Sequence, residues 1–221
     1  VNSNCQNVNV IQEPSLIVLG TVQDGGLPHI GCAKSCCSNL TPKQGAHYQV
    51  TALAVKQPKI KTTVLFEASP DIVSQWNHLG NSPTAIFLTH AHIGHYTGLM
   101  HLGREALGAK NIPVYAMPRM HSFLKSNAPW SQLVELKNIE LIKMTAERPK
   151  TLGSIQITPI LVPHRDEFSE TVGYRIQGPN KAALFLPDID KWERWNTDLV
   201  EILKTVDYGF IDATFFDEAE L

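Results

Sequence analysis

The stretch Leu88-Thr89-His90-Ala91-His92-Ile93-Gly94-His95-Tyr96-Thr97-Gly98-Leu99 decides how this chain reads. It continues the apolar run Ala85-Ile86-Phe87 and gathers His90, His92 and His95, three of the chain's nine histidines. Side chains along a strand alternate with period two, so His90 and His92 share one side of the backbone as the strand runs into a loop. Neutral imidazole is the commonest protein ligand for zinc, iron and related metals. Thr97-Gly98-Leu99-Met100 opens a segment with helical apolar spacing, which puts His95 near a helix start. A loop whose histidines only cap and hydrogen-bond is the competing reading, and the density of imidazole argues against it.

Strands surround this stretch on both sides. Ser15-Leu16-Ile17-Val18-Leu19-Gly20, Tyr48 to Val55 and Thr62 to Phe66 read as strands, followed by a helix that starts at Ser69 or Pro70 and runs to about His78. Ser82 to Leu88 is the strand that delivers the histidines. Tyr96 to Gly108 is expected to be a helix with Leu99, Leu102, Ala106 and Leu107 on its core face. Ile112 to Ala116, Asn138 to Ile142 and Ser154 to Val162 are further strands, with a helix beginning near His121. Thr171 to Ile176 and Ala182 to Leu186 form a hairpin across Gly178-Pro179-Asn180, and Tyr208 to Ile211 is the last strand. Each half runs strands and then helix, which suits an α/β sandwich: two mixed β-sheets face to face with helices outside, in αββα order.

Two strand ends outside the cluster supply further donors. Val162-Pro163-His164 ends a strand with a histidine, and Phe185-Leu186-Pro187-Asp188 ends another with a carboxylate. Asp190 competes with Asp188, which is preferred because it directly follows the strand. His90, His92 and His164 make a set of three protein ligands with an open position, the arrangement of catalytic rather than structural metal sites. A metal so held lowers the pKa of bound water from 15.7 to about 7. His101 and His121 read as ordinary polar residues.

The run His90-Ala91-His92-Ile93-Gly94-His95 resembles the H-x-H-x-D-H signature of the metallo-β-lactamase superfamily, with Gly94 where that signature has an aspartate. Leu19-Gly20-Thr21 with Gly25-Gly26, and Leu65-Phe66-Glu67-Ala68-Ser69-Pro70-Asp71, extend the resemblance, with Glu67 where aspartate is usual. A narrower similarity, to the pyrroloquinoline quinone (PQQ) biosynthesis protein B branch, lies in Pro113 to Arg119, Asn127-Ala128-Pro129-Trp130, Thr171-Val172-Gly173-Tyr174, Ile211 to Phe216 and an early cysteine cluster. The resemblance implies the metallo-β-lactamase-like αββα fold over residues 15–221, after a flexible tail at 1–14. It also implies a metal-dependent hydrolase, with His90, His92, His95, His164 and Asp188 as ligands and Asp188 and His95 as catalytic groups. Zinc is the expected metal, with iron or manganese as alternatives. The narrow branch implies an alternative reaction, iron-dependent oxygenation of a tyrosine-like ring. The loss of the signature aspartate at Gly94 leaves the second metal position incomplete and raises a third reading, a catalytically degenerate binding scaffold, which the five retained donors oppose. Members usually carry a further histidine after the strand at 208–212, which leaves two expectations: a lost second metal, or a sequence that lacks its C-terminal segment.

Composition narrows the partners. Hydrophobic residues make up 43% and charged residues 18%, enough for a sizeable core, and the net charge of −2 gives no reason to expect nucleic acid. No apolar run is long enough to span a bilayer. A small-molecule or peptide substrate is the expected partner, and a homodimer is compatible with the sequence. Cys5, in a polar and Asn-rich start, leaves the compartment open between export or lipid anchoring and the cytoplasm. Cys32, Cys36 and Cys37 form a separate cluster, read either as structural zinc ligands with His29 or His47, or as a disulfide of Cys32 with Cys36 or Cys37.

Overall fold

The computed structural model describes residues 13–214, so Cys5 and most of the expected tail lie outside the described residues. Eleven strands form two mixed sheets. The first carries β1 (Ser15–Gly20), β2 (Ala52–Gln57), β3 (Thr62–Phe66), β4 (Ala85–Phe87), β5 (Ile112–Ala116) and β6 (Ile139–Lys143) in sequence order. Its first two pairings are antiparallel and the next three parallel. The second sheet runs β11-β10-β9-β8-β7, built from β7 (Lys150–Leu152), β8 (Ile155–Leu161), β9 (Val172–Gln177), β10 (Ala182–Leu186) and β11 (Tyr208–Ile211).

Alternation along the strands builds three hydrophobic layers. Leu53, Val55, Val64, Phe66, Phe87 and Tyr115 face inward and meet Ile155, Ile157, Val172, Tyr174, Ile176 and Phe185 of the second sheet. The residues between them, such as Ala54, Leu65, Ile86 and Val114, face outward. There they pack under α3 (Ile72–Leu79), α5 (Pro118–Ser126) and α6 (Trp130–Glu135). On the far face of the second sheet, Leu184 and Leu186 pack under α7 (Leu199–Leu203). This is the expected αββα sandwich. Two short helices, α1 (Ser35–Ser38) and α2 (Pro42–Gly45), lie in the loop between β1 and β2, and α4 (Ile93–Tyr96) follows β4.

Three elements differ from the sequence expectation. β2 begins at Ala52 rather than Tyr48, because Gln49 and Thr51 spend their backbone groups on the loop after β1. The Gln49 carbonyl accepts from the Thr21 and Val22 N–H groups, and the Thr51 N–H donates to the Val22 carbonyl. Strand β7 carries no period long enough to announce it. The helix expected over 96–108 is replaced by α4 and a 3-10 turn at Thr97–Leu102. Leu99 and Leu102 are buried as expected, but Ala106 and Leu107 are exposed.

Gly98 explains the break. Its N–H donates to the Ala68 carbonyl at 2.8 Å and the Ala68 N–H donates to the His95 carbonyl at 2.9 Å, so this segment is bonded to the end of β3. A Cβ on Gly98 would overlap the Ser69 carbonyl, which is backbone and cannot swing away. Gly98→Ala is therefore expected to destabilise the fold by about 1–3 kcal/mol, as overpacking does. The check is a lower urea midpoint at unchanged m-value.

Candidate metal centre

The turn that carries the histidines is bonded from both sheets. The Leu88 N–H donates to the Tyr115 carbonyl, and the Tyr174 hydroxyl donates to the Leu88 carbonyl at 2.6 Å. The Val172 N–H donates to the Thr89 carbonyl at 3.2 Å, and the Ala91 N–H to the Ser169 hydroxyl at 2.9 Å. Buried backbone groups need such partners. β8 and β10 both pair antiparallel with β9, so their C-terminal ends share a rim. His164 and Asp188 follow those two ends and meet the turn there.

The donor atoms converge. His92 Nδ1 stands 3.0 Å from His90 Nε2 and 3.1 Å from His164 Nε2. Asp188 Oδ2 is 3.1 Å from His90 Nε2 and 3.5 Å from His164 Nε2. Tetrahedral ligands at the usual zinc–nitrogen distance stand about 3.3 Å apart, so this spacing matches the edges of a metal's coordination shell. The same four residues make one group of donor atoms lying within 4.8 Å of one another. Thr89 Oγ1 lies 2.9 Å from His90 Nδ1 and Glu167 Oε2 lies 2.9 Å from His92 Nε2, contacts that fix the ring orientations. Asp190 instead pairs with Arg194 at 2.8 Å, so Asp188 is the carboxylate that faces the histidines.

The His95 ring lies 4.2 Å from that of His90, but it is not in the first donor group. It belongs to a second donor group with Asp24 and Asp188. Its Nε2 is 2.7 Å from Asp24 Oδ1 and 3.3 Å from Asp188 Oδ2, while its Nδ1 is 3.4 Å from the buried Glu67 carboxylate. Glu67 holds a φ of 75°, an uncommon conformation for a side chain of this size, at the end of β3.

The electrostatics follow from burial and neighbours. Burial, with the charge of His95 adding to it, pushes His90 down to about 3. Burial also lowers His164, against the opposing pull of Asp188. Burial would raise Asp188, but hydrogen bonds with His90 and His95 hold it well below the usual carboxylate range. Asp24 is likewise raised by burial and lowered more by His95. Burial alone would lower His95, yet Glu67, Asp188 and Asp24 raise it well above an ordinary histidine. Neutral imidazoles at His90 and His164 and ionised Asp188 and Asp24 are the protonation states that bind metal. The donor set fits a divalent cation.

The model of the beta-lactamase superfamily domain matches residues 62–221. This chain belongs to that superfamily. It is 23% identical to the coenzyme PQQ synthesis protein B of Nitrosococcus oceani over 237 aligned residues, covering 92% of this chain and 75% of that one. A solved diphosphatase of the PhnP family matches at 25% identity with a TM-score of 0.59, over 78% of this chain and 63% of that one. The zinc-bound PqqB of Methylobacterium extorquens matches at 22% identity with a TM-score of 0.61, over 76% of this chain and 63% of that one. The chain thus spans about 63% of the length of these two solved structures. The two PqqB proteins among these relatives accord with the narrower resemblance read from the sequence.

Asp24, Thr89, Glu167, Ser169 and Tyr174 are site residues that sequence reasoning missed. Asp24 had one available signal, the acid in the Gln23-Asp24-Gly25-Gly26 turn at the end of β1; the others had none. At the separate cysteine cluster, the Cys32, Cys36 and Cys37 sulfurs are unpaired and lie within 4.8 Å of one another. The disulfide alternative is not formed, and neither His29 nor His47 joins the group among the described residues. The His29 N–H donates to Cys37 Sγ at 3.4 Å, and the His29 ring turns to the Ile30 carbonyl. Among the described residues no helix is long and apolar enough to cross a membrane.

Ser169→Ala would strip the Ala91 N–H of its partner inside the buried turn between His90 and His92. The expected loss of stability is about 1–3 kcal/mol. Metal affinity at the histidines is expected to fall about 10–100-fold, read by competition with a chromophoric chelator.

Proposed function

We propose that this chain is a metal-dependent hydrolase of a small ester, with phosphodiesters first among the candidate substrates. One observation carries the reading: His90, His92, His164 and Asp188 point four donor atoms at one position on the rim of the sandwich. The similarity to a PhnP-family diphosphatase supports a phosphoryl substrate only in general. A cleft of about 510 Å³ reaches Asp24 and Asp188 and is lined also by Thr21, Gln23, Asp212 and Thr214. That size suits a small molecule.

A divalent ion held by these four residues would supply hydroxide near neutral pH and polarise the bond to be cleaved. The three imidazoles hold their donor nitrogens in place through Thr89, Glu167 and the packed strand ends. Asp188, kept ionised by its histidine neighbours, accepts the hydrogen bond of an attacking water and orients it toward the cleft. His95 is wholly buried and acts through Asp24 and Asp188 rather than by touching substrate. An iron-dependent oxygenase is the second reading, favoured by the similarity to the PQQ synthesis protein across 92% of this chain. Both readings use the same donors, and imidazole and carboxylate suit either metal.

Dialysis against a chelator is expected to abolish cleavage of bis(p-nitrophenyl) phosphate, and zinc or manganese to restore it. His92→Ala and His164→Ala should each lower kcat/KM at least about 100-fold, the scale of losing a group that acts in the transition state. Oxygen consumption dependent on ferrous iron, with no cleavage of any ester, would move the assignment to the oxygenase.

A further inference from the structure

The superfamily signature already implies a second metal position at His95 and Asp188; we propose that here Asp24 supplies the carboxylate that the signature has at 94, and that Gly94 provides the room for it. The inference rests on the metal-dependent reading above and adds a second ion, held by a residue from the loop after β1. Asp24 Oδ1, His95 Nε2 and Asp188 Oδ2 form a compact donor group, and Asp188 Oδ2 belongs to the first group as well. A carboxylate shared by two donor groups is placed to bridge two ions.

The glycine decides the geometry. A Cβ on Gly94 would stand 2.5 Å from Asp24 Oδ1 and 2.8 Å from its Cα, closer than real Cβ atoms come. Any side chain at 94 would push Asp24 away from His95. Gly94 is buried and has no positive φ, so it is not needed for backbone freedom. What it leaves is space, and the Asp24 carboxylate fills that space.

The surroundings support a cation rather than a simple ion pair. Among the described residues, His95 is the one imidazole contacted by three carboxylates, those of Asp24, Asp188 and the fully buried Glu67. Glu67 Oε1 lies 3.4 Å from Nδ1, both atoms being buried without a hydrogen-bond partner, and Nε2 faces Asp24 and Asp188. Two adjacent ions suit phosphodiester chemistry, because such pairs clamp both the attacking and the leaving oxygen.

Manganese(II) is the probe of choice, since carboxylate and imidazole suit it and thiolates do not, which leaves the cysteine cluster out of the count. The metal-free protein would be titrated with manganese(II) and followed by electron paramagnetic resonance. The wild type is expected to show the spin-coupled signal of an adjacent pair. Asp24→Ala should bind one equivalent fewer and show only an isolated ion, and Gly94→Ala should do the same with Asp24 still present. Circular dichroism checks that each variant folds; if Asp24→Ala does not, the Gly94→Ala titration decides. A coupled pair that survives either substitution overturns the proposal. So does a wild type that binds a single uncoupled ion and still hydrolyses its substrate, an outcome that leaves the three-histidine reading intact. A wild type that binds no manganese, zinc or iron at the histidines sinks both.

Discussion

The hydrogen bond from the Tyr174 hydroxyl to the Leu88 carbonyl ties the two sheets together where the histidines gather. Tyr174 is wholly buried and packs against Phe66 and Phe87 at ring separations of 5.5 and 5.6 Å. Phe66 in turn meets Phe185 across the layer at 6.0 Å. This aromatic layer sets the spacing of the sandwich, and the hydroxyl uses that spacing to reach a strand-end carbonyl that no neighbouring strand satisfies. The Val172 N–H does the same for the next carbonyl, that of Thr89. A turn inside the protein with its polar groups unpaired would cost too much to persist. The histidine turn exists in this shape because the second sheet completes it.

That dependence explains why donors from distant parts of the chain meet within hydrogen-bond distances. His90 and His92 are placed by the first sheet, His164 and Asp188 by the second, and the rigid core between them allows little relative movement. Burial then does two opposite things. It keeps His90 and His164 neutral, while the imidazole contacts overcome its effect on Asp188 and hold that carboxylate ionised. Neutral imidazoles at His90 and His164 beside an ionised Asp188 are complementary to a cation.

Much of this was legible in the sequence, for physical reasons that differ by residue. His90, His92, His164 and Asp188 each follow an apolar run that reads clearly as a strand, and strand ends on one rim are where side chains converge. The outward and inward alternation of β2 to β5 gave the two-sided burial, hence helices on one face and a second sheet on the other. β2 was displaced from its expected start because Gln49 and Thr51 serve the loop after β1, a contact between segments that no local period reveals. The helix expected after His95 was lost to Gly98, whose close approach to the β3 end depends on tertiary packing. Ser169 and Glu167 were silent for the same reason. They lie in a loop without periodicity, and their roles appear only when that loop crosses the histidine turn.

Asp24 and Gly94 carry this lesson furthest. Read along the chain, a glycine inside the histidine motif is a loss, because a ligand type is missing at a fixed offset. In space it is half of a pair: the atoms removed at residue 94 are replaced by a carboxylate from residue 24, seventy positions earlier, whose oxygen stands 2.5 Å from where the missing Cβ would be. A motif records which residue types occur at which spacing, whereas a metal ion responds only to the donor atoms around it. The shared sandwich accounts for the likeness to PqqB and to the PhnP-family diphosphatase, but fold does not transfer function. On the proposed reading, one carboxylate takes the place of another, which keeps the charge of the site while changing the loop that delivers it. A change in the turn after β1 would therefore act on the chemistry directly, although that turn lies outside the histidine motif altogether.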